Sequence, residues 1–396
     1  MLNYLYCNFA KIAHYQFSKM GLILLTFFTA LALVLLVTPS IISIAKHYHL
    51  FDFPGEIKVH TFQTPRLGGM AIFAAFLFSF FLWKPADIID PSLRYLIFSL
   101  VILFFVGLKD DIVGISPLKK LGLQILVAII VVADQHGSTR LTSMHGLFNV
   151  FDIPAIASIP LTLFTIIVVT NAFNLIDGID GLASGLGLIA CSTFGFWFYA
   201  VDYMLLATLS FAMAGALLGI LVFNFAPARI FSGDCGSLLI GFIVSILAIK
   251  FTEINREFVT TYVANYADQL NITGIADSYD APPLMIYSSP SFAVAVIIIP
   301  LYDTFRSFTV RILNRKSPFK GDRNHIHHRM MSLGMNASKV CLTLFALNLL
   351  FIATAFSLRD FSTNKLLPIV VGMAFIFDML LLLLQKMQKN ALPANQ

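Results

Sequence analysis

Long apolar runs, separated by short polar segments, fill most of this 396-residue sequence and limit its fold more than any other feature. One helix needs roughly 17–25 apolar residues to cross a bilayer, and eleven runs approach or reach that length. Only 12% of the residues are charged, whereas soluble domains carry roughly 25%, so lipid must surround much of the surface. We therefore predict an all-α polytopic membrane protein with about 10–11 transmembrane helices. The runs are 21–43, 67–83, 93–108, 120–133, 156–171, 185–199, 204–224, 236–250, 291–307, 338–357 and 366–385.

The rest of the composition indicates one integral membrane domain over residues 1–396. The four cysteines are scattered and form no CxxC pair, which argues against a disulfide framework or a zinc site. A net charge of +5 is modest, so nucleic acid is not an expected partner. The first apolar run is too long for a signal peptide and is predicted to be a retained span. The longest hydrophilic stretch, about 251–290, is acidic and Tyr-rich, and we predict an extracytoplasmic loop there.

Basic residues are concentrated on one side of the predicted membrane. If eleven spans alternate, one side receives the loops 44–66, 109–120, 171–184, 225–236 and 306–339 and the C-terminal tail, which together hold 17 of the 26 Lys and Arg. The positive-inside tendency places that side in the cytoplasm, with the N-terminus outside and the C-terminus inside. Every cluster rich in Asp, Asn, Gly or His also falls in these loops. We therefore expect a site at the cytoplasmic face.

Asp110 and Asp111 form a carboxylate pair after the third run, and Lys119 and Lys120 follow shortly afterwards. Carboxylates are costly in a bilayer, and two neighbours repel each other unless a cation lies beside them. Mg²⁺ is the natural candidate, because it takes oxygen ligands and usually keeps waters and substrate phosphates. The alternative is an acidic pair solvated at a loop.

A second polar cluster directly follows the fifth run. Asn171, Asn174, Asp177 and Asp180 recur at three-residue intervals, and a glycine follows each aspartate. Polar groups of this kind at a span end usually line a cavity. A turn with helix caps is the alternative, but it accounts for one Asp-Gly pair better than for two.

A third cluster opens the eighth run, where Asp234 lies in the segment 232–237, rich in Gly and Ser. An aspartate here can hold a metal, and free N–H groups at a helix N-terminus favour phosphate. An ordinary N-cap is the alternative.

The basic loop contains three histidines within four residues. Zinc is disfavoured because no Cys or second ligand pair is nearby, and contact with phosphate or nucleotide fits the surrounding Arg and Lys better. A solvated loop is the alternative. Further candidates are His60 and the segment 64–69, at the start of the second run. The alternative for these residues is a helix start with close glycine packing. The candidates in the loop are Arg323, His325, His327 and His328.

Taken in this order, the motifs between about residues 44 and 335 resemble those of the polyprenyl-phosphate N-acetylhexosamine-1-phosphate transferase family. The His-Ile-His-His segment is similar to the bacterial undecaprenyl-phosphate GlcNAc-1-phosphate transferase branch. The resemblance implies transfer of an N-acetylhexosamine-1-phosphate, GlcNAc-1-phosphate first among them, from a UDP-sugar to undecaprenyl phosphate. UMP would be released, in the first membrane step of cell-envelope glycan synthesis at the bacterial cytoplasmic membrane. Whether the product feeds lipopolysaccharide O-antigen or teichoic acid, and whether the chain forms a homodimer, stay open.

The resemblance also assigns roles to individual residues. Asp110 and Asp111 match the family's Asp-Asp pair, implicated in Mg²⁺ handling and in deprotonation of the lipid phosphate. Lys119 or Lys120 matches the basic residue that follows. Asp111 and Asp234 would hold Mg²⁺, with Mn²⁺ as a substitute. The other matches are the catalytic and nucleotide-binding Asn171, Asn174, Asp177 and Asp180 and the substrate-binding His325, His327 and His328, to which we add His60 and Arg323.

Both expected substrates are polyanions, so charge repulsion is the main obstacle to their reaction. A lipid-phosphate oxygen would attack the β-phosphorus of the UDP-sugar, with Mg²⁺ and basic side chains offsetting the negative charge. We favour this direct attack, while a two-step route through an aspartyl-phosphate stays open. Since one phosphoanhydride replaces another, no ATP should be needed.

Two other classes of protein share parts of this pattern. CDP-alcohol phosphotransferases also carry Asp-Gly repeats, but an Arg of their motif is missing here, because Ser184 follows Ala183. Ion-coupled secondary transporters place Asn, Asp and Gly in broken helices near the membrane midplane. The present motifs instead lie at span ends on one side, and the two halves of the chain are dissimilar. Release of UMP from a UDP-sugar would separate the transferase from both.

Overall fold

The computed structural model describes residues 2–52, 64–86, 88, 90–134, 139–273, 284–315 and 325–391, and these ranges form an almost entirely helical bundle. His60 and Arg323 lie outside the described residues. The helices within the described ranges are α1 (Leu2–His47), α2 (Gly68–Trp83), α3 (Leu93–Val113), α4 (Pro117–Val132), α5 (Ala155–Ile176), α6 (Leu182–Ala200), α7 (Met204–Asn224), α8 (Gly233–Thr273), α9 (Ser289–Val296), α10 (Ile298–Leu313), α11 (Ile326–Ser332), α12 (Ala337–Ser357) and α13 (Thr363–Ala391).

Each of the eleven apolar runs coincides with helix, which confirms the predicted all-α polytopic class. Within the described residues, seven single helices are long and apolar enough to cross a membrane, or eight spans if the bent pair α9 and α10 counts as one. The predicted count of about 10–11 is higher because it includes α2, α3 and α4. The 16-residue helices α2 and α4 are each about 24 Å long, while α3 carries charged residues at both ends.

Two predicted elements differ from the structure. The ninth run is broken at Ile297, where α9 and α10 meet at an angle of 80°. The expected loop 251–290 is helical as far as Thr273, because α8 continues beyond its membrane-spanning part. Phe251 and Asn255, four residues apart on one face, are both buried, and the Asn255 side chain donates a 2.5 Å hydrogen bond to the Ile286 carbonyl. This hydrogen bond ties α8 to the chain before α9.

Helix α8 forms the centre of the bundle. Its membrane-spanning part, Gly233–Phe258, has its most apolar stretch wholly buried, and α2, α3, α5 and α6 pack around it. Helices α1, α12 and α13 lie at the periphery, where exposed apolar side chains such as Leu36 and Ile376 suit contact with lipid.

In the part of the chain that the structure describes, four short strands form two small antiparallel sheets. Strand β1 (Phe51–Asp52) pairs with β2 (Thr64–Pro65), and β3 (Ser143–Leu147) pairs with β4 (Val150–Asp152). The chain after β2 also pairs with the segment before α8: Phe231 N–H donates to the Pro65 carbonyl (2.8 Å) and Gly68 N–H to the Phe231 carbonyl (2.9 Å). These bonds place the segment 64–69 against the N-terminus of α8.

Close helix packing near that N-terminus depends on glycine. A Cβ added to Gly69 would lie 2.4 Å from the backbone nitrogen of Gly236, and one added to Gly107 would lie 2.3 Å from the Cα of Cys235. Backbone atoms cannot move aside as a flexible side chain can. Helices α2 and α3 therefore approach α8 at positions where only glycine fits.

We predict that Gly107→Ala lowers the thermal stability of the protein in detergent, because overpacking costs about 1–3 kcal/mol. Gly122→Ala in α4 is the matched control, since no described atom lies within 4 Å of its added Cβ. Alanine in a helix interior is favoured over glycine by about 0.5–1 kcal/mol, so this variant should melt at or above the wild-type temperature. A Gly107→Ala protein that melts no lower than Gly122→Ala would contradict the α3–α8 packing described here.

Candidate active site

Polar side chains from several helices converge at one end of the bundle. Helices α3 and α5 end there, and α4, α8 and α11 begin there. Neighbouring spans run in alternating directions, so the loops predicted on one side of the membrane meet at one face. Asp111, Lys120, Asn174 and Asp234 contact one another there, directly or through a shared partner.

Asp111 fixes the end of α3 to the beginning of α8. Its Oδ1 accepts the N–H of Asp234 (2.8 Å) and its Oδ2 accepts the N–H of Cys235 (2.9 Å). A carboxylate bound to the free N–H groups of a helix N-terminus is stabilised both by hydrogen bonding and by the helix dipole. Gly233 makes this approach feasible, with φ at 68° and an added Cβ only 2.6 Å from Asp111 Oδ2.

Lys120 lies between two carboxylates. Its Nζ is 3.0 Å from Asp110 Oδ2, hydrogen-bonds to Asp234 Oδ1, and donates to Asn174 Oδ1 at 3.2 Å. The Asn174 amide in turn donates to Asp234 Oδ1 (2.5 Å) and to Ser237 Oγ (2.8 Å). Lys119 is exposed. Of the two lysines between which the sequence left a choice, the structure brings Lys120 into the cluster.

Asn171 and Asp180 have partners at the edges of the cluster. Asn171 donates to Gln124 Oε1 at 2.6 Å and accepts from Gln124 Nε2 at 3.3 Å, which joins α5 to α4. Asp180 Oδ2 accepts the N–H of Ala228 (2.9 Å) and so ties the start of α6 to the chain before α8. These contacts support neighbouring elements, and the roles predicted for both residues stay predictions.

Asp177 lies just past the end of α5, close to the charges of Asp111 and Asp234. Burial, the Asp234 carboxylate and the Asp111 carboxylate together raise the pKa of Asp177 to about 8, while Arg66 opposes the shift. Three carboxylates thus crowd one desolvated space. A divalent cation placed there would relieve their mutual repulsion.

The histidine loop is anchored by Asp303 of α10. Asp303 Oδ1 accepts the N–H of Ile326 (2.7 Å), and Asp303 Oδ2 lies 2.9 Å from Nδ1 of His325. These two contacts show that Asp303 orients the first histidine. The ring of His328 follows 4.4 Å from that of His327.

His327 reaches from this loop to the second cluster. Its ring stacks on His325 with centroids 5.6 Å apart, and its Nε2 would lie 2.5 Å from a Cβ added to Gly178. Burial lowers the pKa of His327 to about 3, so the ring is neutral at physiological pH. Both ring nitrogens are buried without a hydrogen-bond partner among the described residues. A ligand at this position can satisfy them.

The number and kind of carboxylates at this site decide whether Mg²⁺ could bind there. Within the described residues, no three His, Cys, Asp or Glu side chains are arranged as a closed metal site. Mg²⁺ usually binds through one or two carboxylates and completes its shell with waters and substrate phosphates. Asp111 and Asp234 meet that smaller requirement, since their two carboxylates are close enough to repel each other. The residues present therefore fit the ion.

Arg66, Gln124 and Ser237 join the cluster, although none of them was among the individually predicted site residues. The Arg66 guanidinium is close enough to attract the carboxylates of Asp111, Asp177 and Asp234, and with Asp111 it lines a cavity of about 120 Å³. The sequence did offer one indication for Arg66, because it lies in the candidate segment 64–69 at the start of the second run. Gln124 was detectable as the single amide of the fourth apolar run, 120–133.

The chain is similar in sequence to a family profile and to several named proteins. The sequence profile of glycosyl transferase family 4 matches residues 93–252. A relative from Bacillus subtilis, named probable undecaprenyl-phosphate N-acetylglucosaminyl 1-phosphate transferase, is 30% identical over 347 residues, 87% of each chain. The decaprenyl-phosphate N-acetylglucosaminephosphotransferase of Mycobacterium tuberculosis is 29% identical, covering 80% of this chain and 78% of its own. The undecaprenyl-phosphate alpha-N-acetylglucosaminyl 1-phosphate transferase of Escherichia coli K12 is 28% identical, covering 84% and 83%. This chain belongs to the polyprenyl-phosphate N-acetylhexosamine-1-phosphate transferase family.

Proposed function

We propose that this protein transfers GlcNAc-1-phosphate from UDP-GlcNAc to undecaprenyl phosphate and releases UMP. The observation that carries the proposal is the convergence of Asp111, Asp177 and Asp234 with Lys120 and His327 at one end of a membrane bundle. A lipid phosphate can reach that end from the bilayer, and a nucleotide can reach it from water. The names of the curated relatives support the same acceptor and the same transferred sugar.

The chain's own residues address the repulsion between two polyanionic substrates. Lys120 is already surrounded by Asp110, Asp234 and Asn174, and it can turn to a phosphate oxygen without leaving the cluster. The unpartnered ring nitrogens of His327 can hydrogen-bond the donor diphosphate or its sugar. Arg66 adds positive potential beside Asp111. These groups are positioned before substrate binds, which lowers the cost of reorganisation in the transition state.

The reaction we propose is direct attack by a lipid-phosphate oxygen on the β-phosphorus of the donor. One phosphoanhydride bond forms, the bond to UMP breaks, and the sugar–oxygen bond is left intact, so the anomeric configuration is retained. A phosphate monoester has a second pKa near 6, so it is nucleophilic at neutral pH without a strong base. Asp110 is engaged by Lys120 and by the N–H of Ile115 (2.6 Å), and we propose that it orients Lys120.

Asp111 and Asp234 are the residues that would hold Mg²⁺, with Mn²⁺ as a substitute. The ion would neutralise the diphosphate and the charge that develops on the leaving phosphate. Lys120 also contacts Asp234, so the carboxylate that would hold the ion has a positive partner within the chain itself.

We also propose the orientation given by the distribution of basic residues, in a bacterial inner membrane. The active-site end of the bundle and the C-terminus would face the cytoplasm and the N-terminus would lie outside, because most Lys and Arg lie in the loops on the active-site side. Cytoplasmic UDP-sugars would then reach the site directly.

We predict that the purified protein releases UMP from UDP-GlcNAc when undecaprenyl phosphate and Mg²⁺ are supplied. UMP is measured by chromatography and the lipid product by mass spectrometry. Chelation should stop the reaction, and Mg²⁺ or Mn²⁺ should restore it. If no UDP-N-acetylhexosamine yields UMP, the proposed function is wrong; solute flux in liposomes or turnover of a CDP-alcohol would then identify the rival classes.

We predict that Asp111→Asn and Asp234→Asn each abolish turnover in a protein that remains folded, as judged by size-exclusion chromatography in detergent. Each change removes a negative charge from the proposed metal ligands. Asp152→Asn is the matched control, because Asp152 lies in strand β4 at the opposite end of the bundle. Retention of more than about a tenth of the activity, a loss of only ~1.4 kcal/mol, would argue against the metal role.

We predict that Lys120→Met lowers kcat by at least about 100-fold, as expected for loss of one preorganised electrostatic group, while Lys119→Met leaves it within about threefold. The two lysines are adjacent in sequence, but Lys119 is exposed and Lys120 contacts Asp110 and Asp234. Steady-state kinetics of both variants test the assignment. Equal effects of the two substitutions would contradict it.

A further inference from the structure

A buried charged cluster joins the histidine helix α11 to the C-terminal helix α13. The Arg306 Nε lies 2.9 Å from both carboxylate oxygens of Asp378, and the Arg329 guanidinium also hydrogen-bonds to Asp378 Oδ1. Asp378 is 4% exposed and Arg329 is 7% exposed. Gln385 completes the cluster: its Oε1 accepts from Arg329 Nε (3.2 Å), and its Nε2 donates to the Arg329 carbonyl (3.3 Å) and to Ser332 Oγ (2.9 Å).

The spacing of these residues shows how three helices share the cluster. Asp378 and Gln385 are seven residues apart, so they lie on one face of α13 about two turns apart. Arg306 lies three residues after Asp303 on α10, and neighbours at that spacing share a face. Helix α10 thus holds the beginning of α11 through Asp303, and α13 holds its end through Gln385.

Helix α11 depends on such contacts because it has only seven residues. Isolated helices shorter than about 12–15 residues are marginal in water, so tertiary contacts must set its orientation. His325 and His327 lie at the start of this helix, and His327 packs against Gly178, the residue after Asp177. A small rotation of α11 would move the ring of His327 away from that position.

We propose that Asp378 and Gln385 are positioning residues, which act through Arg329 to hold the histidine helix in the orientation that binds the nucleotide-sugar donor. This inference rests on the proposed function, because it assigns the histidines to the donor. It also means that donor binding requires contacts from the C-terminal helix α13. This helix lies beyond the residues 93–252 that match the family profile.

The first experiment separates donor binding from the other kinetic constants. Asp378→Asn and Gln385→Ala are expected to raise the KM for UDP-GlcNAc about tenfold, within the 10–100-fold range seen when supporting residues around a functional site are lost. The kcat and the KM for undecaprenyl phosphate should stay within about threefold. Gln385→Glu keeps the acceptor for Arg329 Nε and should restore a KM close to the wild-type value.

Asn364→Ala is the matched control on the same helix. Asn364 lies at the other end of α13, where its side chain accepts from Phe148 N–H (2.9 Å) and donates to the Gly146 carbonyl (2.8 Å). Losing these two hydrogen bonds should leave every kinetic constant near that of the wild type. A donor KM unchanged in both Asp378→Asn and Gln385→Ala, or raised equally in Asn364→Ala, would overturn the proposal. If Asp378→Asn does not fold, Gln385→Ala decides.

A second experiment needs no activity. Diethyl pyrocarbonate modifies accessible histidines, and mass spectrometry reports each site separately. His327, 1% exposed, should react slowly in the wild type and at least about fivefold faster in Gln385→Ala if α11 is loosened. His145, in strand β3 at the opposite end, should react at the same rate in both proteins. An unchanged His327 rate would overturn the positioning role, whereas a wild-type protein that releases no UMP would overturn the proposed function alone.

Discussion

The contact between the Asp111 carboxylate and the first N–H groups of α8 is the interaction on which the rest of the site depends. It joins the end of one helix to the beginning of the central one. Gly107 and Gly233 allow the two backbones to approach closely enough for it to form. Because the backbone of Asp234 is held in this way, its side chain lies within reach of Lys120 and Asn174. The same bonds therefore fix both the helix packing and the geometry of the proposed active site.

Charge balance in a poorly solvated space explains the composition of the cluster. Buried charges are stable only when they are paired and hydrogen-bonded. Lys120 is shared by Asp110 and Asp234, and Arg66 attracts the carboxylates around it. Burial first, and then the carboxylates of Asp234 and Asp111, raise the pKa of Asp177, while Arg66 opposes the shift. In the proposed reaction, a divalent ion beside these carboxylates would offset their charge and allow a negatively charged substrate to bind.

The sequence predicted the class of fold and most of the members of the cluster, but not how they pair. Hydropathy located eleven helical runs, because burial in lipid depends on length and polarity alone. It could not show the break at Ile297, since both halves of that run are apolar. Hydropathy also could not show that α8 continues past residue 250, because the polar residues of the segment 253–257 are equally typical of a loop. Likewise, only packing distinguishes Lys120 from Lys119, since the two are chemically identical neighbours.

The C-terminal helix α13 also contains a buried charge that needs partners, although it lies outside the sequence motifs. Asp378 lies in a helix otherwise rich in lipid-exposed apolar residues such as Phe375, Ile376 and Leu383. A carboxylate within a span costs free energy and is rarely kept without a partner or a function. Here it binds two arginines, and one of them, Arg329, belongs to the short helix that carries the histidines. Since so short a helix gains little stability from its own backbone, its orientation depends on contacts from outside the catalytic core. The polar cluster around Asp111 and Asp234 is thus connected, through α11, to the last span of the bundle.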